Sequence, residues 1–410
     1  MSLQFVTLIV LVVAIFMGFK LNVNTGIVGI GFAFIVGTII GIPAKNILAG
    51  WPTGLFIILM GMTLLFSIAK VNGTLELIAK KVARLSSGNT KLLPILFFIM
   101  CTIIAAVGPG PIVVPALMLP LALEVAKNED IPDLLMATIV IAGSLAGGLS
   151  PLTPSGIIAN SLAAKQGLDT GMTIFVSMFM TGTFMAIIYY VALGGLKLVK
   201  KTVDTEAHLD LTFNQSQKTT ILVISLVIIG ILFFKLDIAL AAFTGSALLL
   251  ALKSANQNDS IQGVPWGTLL LVAGVGVLVN VVSIAGGISA LSKFLAGIMT
   301  PLTAAPIMAT IGGLMSAVSS ASGVVMPTLI PTVPGIVENM NGTVSASSLI
   351  SAIVVGAHVV TVSPLSTLGA LAVAAATSRT DKAKFFTQLL IIGALGVPLA
   401  FVLGLLGVYR

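Results

Sequence analysis

The sequence predicts an all-α polytopic membrane protein. It is expected to hold two inverted-topology repeats, each of five transmembrane helices plus one re-entrant hairpin, with broken helices at the midplane. Three observations carry this expectation: an apolar composition, a repeat at one fixed offset, and basic residues that sort to one face.

Hydrophobic residues make up 57% of the 410 positions and charged ones 8%, with a mean hydropathy of +1.17. A water-soluble domain carries about a quarter charged residues. The apolar runs are about 17 to 25 residues long, the length of a spanning helix. Their apolar positions are continuous and do not alternate, which excludes a β-barrel. The net charge of +7 is spread over short loops between the runs, so it reads as membrane orientation and not as a nucleic-acid surface. Cys101 is the only cysteine, which excludes an intrachain disulfide and a cysteine metal cluster. Its apolar neighbours mark it as a packing residue. Residues 3–19 are expected to form the first span, since no basic segment precedes them and no small-residue cleavage site follows.

The segment starting at Gly50, "GWPTGLFIILMGMTLLFSIAKVNGTLELIAKK", returns at Val264 as "VPWGTLLLVAGVGVLVNVVSIAGGISALSK". A shift of 213 positions aligns Pro52 with Pro265, Gly61 with Gly274, Gly73 with Gly286 and Lys80 with Lys293. The same shift places Gly110 on Gly323, Gly143 on Gly356, Ser150-Pro151-Leu152 on Ser363-Pro364-Leu365, and Gly156 on Gly369. One gapless offset over so long a stretch marks a duplication.

The first copy, 1–200, is expected to open with spans at 4–20 and 24–41. A third span at 51–70 and an amphipathic stretch at 74–87 complete scaffold helices within 1–90. A hinged apolar pair (91–126) and a span broken by Ser-Pro-Leu (133–165) occupy 91–166, followed by a last helix at 171–197. Residues 201–217 read as a polar cytoplasmic linker. The second copy, 218–410, repeats the order: scaffold helices in 218–300, hairpin and broken helix in 303–378, and a last helix at 385–408. Trp51 and Trp266, each beside a proline at the start of matching spans, read as interfacial anchors. Glu124, Glu129, Asp130 and Asp133 read as a solvated loop face.

With re-entrant hairpins each copy crosses five times, so the second copy enters upside down. The 20 basic residues then divide 15 to 5 between the two faces. The bias puts the linker in the cytoplasm and both termini outside, in a bacterial-type inner membrane.

Inverted repeats with paired broken helices are the mark of secondary transporters. Irregular backbone survives at membrane depth only where it lines a cavity. Four such places pair under the shift: the hairpin tips "AAVGPGPIVVP" (105–115) and "AVSSASGVVMP" (317–327), and the breaks "GGLSPLTPSG" (147–156) and "AHVVTVSPLSTLG" (357–369). A single proline or glycine only kinks a helix; four paired clusters read as a site. Apart from His358 no titratable side chain lies near them. Hydroxyls, Asn160, loose carbonyls and half-helix ends remain. Half-helix N-termini suit carboxylates, and carbonyl and hydroxyl oxygens suit Na⁺, which supplies positive charge that no side chain does. For His358 two readings stand: a neutral imidazole bonded to a helix carbonyl, or a substrate or proton group. No metal-ligand cluster, Ser/His/Asp set or paired intramembrane carboxylates are present, so an enzyme is not expected; nor is an organic cofactor.

The stretches "GWPTGLFIILMGMTLLFSIAKVNGTLELI", "AAVGPGPIVVPALMLPLAL" and "GSLAGGLSPLTPSGIIAN" resemble the MatC-type malonate/dicarboxylate carriers, relatives of the divalent-anion sodium symporters. The Val71-Asn72-Gly73-Thr74 turn and the Gly147-Gly148-Leu149-Ser150-Pro151 stretch are the more specific parts. The resemblance implies a homodimer with an outer scaffold and an inner transport domain moving as an elevator. It also implies a dicarboxylate such as malonate or succinate, coupled to Na⁺ or H⁺. In the symporters each tip carries Ser-Asn-Thr. Here the tips read Val107-Gly108-Pro109-Gly110 and Ser320-Ala321-Ser322-Gly323, so binding at the first rests on backbone groups.

The expected substrate residues are Pro109, Gly110, Ser155, Asn160, Ser322, Gly323, His358 and Thr367. The expected Na⁺ residues are Val107, Gly108, Gly148, Ser150, Thr153, Ser319, Ser320, Ser363 and Ser366. The function that follows is Na⁺-coupled dicarboxylate symport. Alternatives are a proton-coupled carrier for another organic anion, with His358 as the protonated group, and an anion channel, which the uniformly apolar intact spans disfavour.

Overall fold

The computed structural model describes residues 3–21, 23–84, 90–170, 172–198 and 212–409; the expected linker up to residue 211, with His208, lies outside them. The first copy contains α1 (Leu3–Leu21), α2 (Thr25–Ile39), α3 (Ala44–Leu48), α4 (Thr53–Val71) and α5 (Thr74–Arg84). There follow α6 (Leu92–Val107), α7 (Gly110–Asn128), α8 (Asp133–Gly148), α9 (Pro154–Lys165) and α10 (Thr173–Ala192). The second contains α11 (Gln215–Phe234), α12 (Ile238–Ala251), α13 (Gln257–Gln262), α14 (Trp266–Ile284), α15 (Gly287–Gly297) and α16 (Ala304–Ser316). A π-helical turn (Ala321–Val325) runs into α17 (Met326–Leu329), and a 3-10 turn joins it to α18 (Val333–Asn339). The chain ends with α19 (Ala346–Val359), α20 (Thr367–Ala374) and α21 (Lys382–Leu405). No strand occurs among the described residues.

Six helix starts keep the offset of 213: α2, α3, α4, α5, α8 and α9 against α12, α13, α14, α15, α19 and α20. The short helices α3 and α13, which precede Pro52 and Pro265, were not expected. At five and six residues they are too short for a hydrophobic period to show. The cap at α13, where Asn256 accepts from the Asp259 N–H at 3.1 Å, is their one visible signal.

Among the described residues, eight helical stretches are long and apolar enough to cross a membrane. The helix α4, with 19 residues, is about 28 Å long at 1.5 Å per residue, close to a bilayer's hydrocarbon thickness. The outer helices show apolar side chains to the surroundings: Phe233 and Phe234 on α11 are 77% and 74% exposed. In α8 every residue from Leu135 to Gly148 is buried, and in α19 every residue from Leu349 to Val359. A helix apolar all round belongs at the centre, and both broken helices lie there.

The copies interlock. The helix α2 packs on α14 and α12 packs on α4, so each copy's second helix meets the other's third span. At the first crossing a Cβ on Gly26 would stand 2.2 Å from the Leu270 carbonyl oxygen, and one on Gly274 would stand 2.1 Å from that of Gly26. Only glycines let the backbones approach so closely. The Asn72 turn is a second joint. Its Nδ2 donates to Thr220 Oγ1 at 2.7 Å, its Oδ1 accepts from Thr74, and its carbonyl accepts from Gln217 at 3.1 Å. Asn72 thus ties α4 and α5 to α11. The acidic loop face requires correction: Arg379, before α21, donates to the Asp133 carboxylate and to the Ile131 carbonyl at 2.6 Å, with Asp130 at 3.7 Å. An arginine 246 positions away cannot be assigned to this loop from local sequence.

Candidate functional site

The break between α8 and α9 arises because Pro151 and Pro154 lack N–H groups and cannot continue a helix ladder. Thr153 closes the gap. Its hydroxyl donates to the carbonyls of Gly148 (2.7 Å) and Ser150 (2.8 Å) and accepts from the Gly156 N–H at 3.1 Å, capping α9. The resumed helix fits because residue 156 is glycine: a Cβ there would lie 2.0 Å from the Ser150 carbonyl oxygen. Gly369 plays the same part beside Ser363. The second break is less closed, since the Ser366 side chain does not cap α20.

At the second tip Ser319 donates to the Met315 carbonyl at 2.6 Å, and Ser320 accepts from the Gly323 N–H at 3.1 Å, which starts the π-turn. At the first tip Gly110 has φ +77° and lies against Pro154 of the first break. A left-handed residue there is glycine's to fill.

These elements line a small cavity of about 40 Å³. Its wall comes from the opening residues of four helical segments: Pro111 and Ile112 of α7, Ser155 of α9, Ala321 and Ser322 of the π-turn, and Thr367 and Leu368 of α20. Ser320, Ser366, His358 and Thr361 complete it. Across the two copies Ser155 Oγ and Ser322 Oγ are hydrogen-bonded at 2.9 Å. No lining residue is an acid, a lysine or an arginine. A helix N-terminus carries about half a positive charge and free N–H groups. Helix starts and hydroxyls at such a wall are groups that can favour an anion where no cationic side chain is present.

Of the expected substrate residues Ser155, Ser322, His358 and Thr367 meet here. Pro109 and Gly110 stand back, and the next two residues line the wall, because the first turn of α7 starts at Gly110. Asn160 is turned elsewhere: it donates to the Gly156 carbonyl at 2.9 Å and accepts from Thr170 at 2.6 Å. The Gly323 N–H is taken by Ser320. From the cation set Ser320 and Ser366 join the same wall, while Val107, Gly108, Gly148, Ser150, Thr153, Ser319 and Ser363 lie outside it. The carbonyls of Gly148 and Ser150 cluster on the Thr153 hydroxyl, and Ser363 Oγ accepts from the Leu365 N–H at 3.3 Å. Thr361 was missed; only its position one helical turn after His358 could have indicated it.

An all-helical multi-pass membrane protein whose broken helices surround a buried polar cavity has the architecture of a transporter. The fold matches the solved structure of the Alcanivorax borkumensis YdaH transporter, with a TM-score of 0.61 over 88% of this chain and 86% of that one. At 14% identity the likeness is one of fold. Residues 1–148 match the family described as dicarboxylate carrier protein MatC N-terminus, which agrees with the resemblance read from the motifs. No curated protein matches the sequence.

Proposed function

We propose that this chain is a secondary active transporter that carries a small dicarboxylate, of malonate or succinate size, together with Na⁺. The observation that carries the reading is the meeting of four helix starts on an uncharged, hydroxyl-lined cavity. Dipoles and hydroxyls hold carboxylates there, and co-bound Na⁺ at the carbonyls of the first break offsets the anion's remaining charge. The match of residues 1–148 to dicarboxylate carriers supports the substrate class. In this reading the hairpins α6–α7 and α16–α18 re-enter at mid-depth, and the two copies have opposite orientations. The inner helices move as an elevator within a homodimer, in a bacterial inner membrane with both termini outside.

Uptake of radiolabelled carboxylates into proteoliposomes tests this. Uptake is expected to follow an inward Na⁺ gradient. A second reading rests on His358, buried in the cavity wall: a proton-coupled carrier, for which uptake ignores Na⁺ and follows a pH gradient instead.

A further inference from the structure

The cavity's hydrogen-bonding groups are not all donors. His358 is 2% exposed, and its Nδ1 lies 2.7 Å from the Val354 carbonyl oxygen of its own helix. A lone pair cannot face a carbonyl at that distance, so Nδ1 carries the proton and Nε2 bears the lone pair. Nε2 is buried and has no protein partner. Beside it, Thr361 spends its hydroxyl proton on the His358 carbonyl at 2.5 Å, so its oxygen can only accept. Across the cavity the groups donate. Ser320 accepts from a backbone N–H and has its own proton free, as does one member of the Ser155–Ser322 pair. The starts of α7 and α20 have no side-chain cap.

No carboxylate lines the cavity to hold a charged imidazolium. The helices packed on α19 carry their ionisable groups elsewhere. Lys165 ends α9, Glu338 is in α18, Lys382 and Lys384 start α21, and Tyr189 and Tyr190 lie near the end of α10; none lines the wall.

We propose that the bound anion carries, besides its carboxylate, an O–H group that donates to His358 Nε2. The O–H is either the hydroxyl of a hydroxy-dicarboxylate or the acid proton of a singly ionised dicarboxylic acid. A full dianion without a hydroxyl sets an oxygen lone pair against Nε2 and is rejected. This inference rests on the anion-carrier reading and specifies the species carried.

The test uses the purified full chain in proteoliposomes with equal pH on both sides and a constant Na⁺ gradient. At about pH 8, where both are dianions, 2-hydroxysuccinate is compared with succinate. A preference of about 10-fold or more for the hydroxylated anion identifies the hydroxyl as the donor. If the two are equal at that pH but succinate uptake rises with its singly ionised fraction toward about pH 5, the donor is the acid proton. In H358F, where the acceptor is lost, the ratio of the two uptakes is expected to shrink to within about 2-fold whatever the overall rate. If H358F does not fold, the two wild-type comparisons decide alone. Succinate uptake that shows neither preference nor pH dependence overturns the proposal and leaves the carrier reading intact. A preference for the succinate dianion that vanishes in H358F also overturns it, because Nε2 then donates as an imidazolium. Absence of any carboxylate uptake removes both.

Discussion

At the scale of single residues, two hydroxyls divide the chemistry. Ser322 meets Ser155 at 2.9 Å across the copies, and one of the two protons stays free for a ligand. Ser322→Ala is expected to raise the half-saturating anion concentration about 3- to 10-fold, the worth of one hydrogen bond. With Ser155→Ala added, the loss should be less than the product of the single losses, because the pair acts as a unit. Uptake kinetics of the three variants check this; fully multiplicative losses would separate the two hydroxyls. Thr153 lies outside the cavity and holds the first break closed. Thr153→Val removes the cap and is expected to lower stability by about 1 kcal/mol, and also to shift the Na⁺ dependence of uptake to higher concentration. Thr153→Ser should restore both. A lowered melting temperature with an unmoved Na⁺ curve would leave Thr153 a cap and nothing more.

At the scale of elements, the breaks are packed structures with little spare room. Gly156→Ala puts a Cβ 2.0 Å from the Ser150 carbonyl oxygen, and Gly369→Ala puts one 2.3 Å from that of Ser363. Each obstacle is backbone, so the loop must shift. A cost of about 1–3 kcal/mol is expected for each, with uptake reduced alongside. Gly31→Ala is the control: nothing lies within 4 Å of the added Cβ on α2, and helix propensity favours alanine by up to about 1 kcal/mol. Thermal unfolding in detergent should separate the first two from the third. The element boundaries were legible because apolar runs, prolines and the repeat all point the same way. The short helices α3 and α13, the π-turn and the 3-10 turn at Val360–Val362 after α19 were not, since each is a local adjustment to neighbours.

At the scale of the whole molecule, the proposed opposite orientation of the copies predicts which loops face the same side. In a Cys101→Ala background, a single cysteine at Lys253 should react with an impermeant thiol reagent from the cytoplasmic side. One at Lys45 should react from the opposite side. Labelling of both from one side would overturn the five-crossing topology. Cys101 is buried, so its removal clears the background without opening the surface.

The sequence by itself determined the all-helical membrane fold, the register of the two copies, the four interruptions and their lack of charge. Those properties follow from composition and spacing, which act along the chain. It also placed Ser155, Ser322, His358 and Thr367 in one group. Only the tertiary structure decided which neighbours joined them. It turned Asn160 to Thr170, set Pro111 and Ile112 in the wall in place of Pro109 and Gly110, and brought Thr361 beside His358. It likewise made Asn72 a joint between the copies and paired Arg379 with Asp133. Each of these depends on the direction of a side chain or on a partner far along the chain. Helix phase and packing set both, and neither leaves a trace in local spacing.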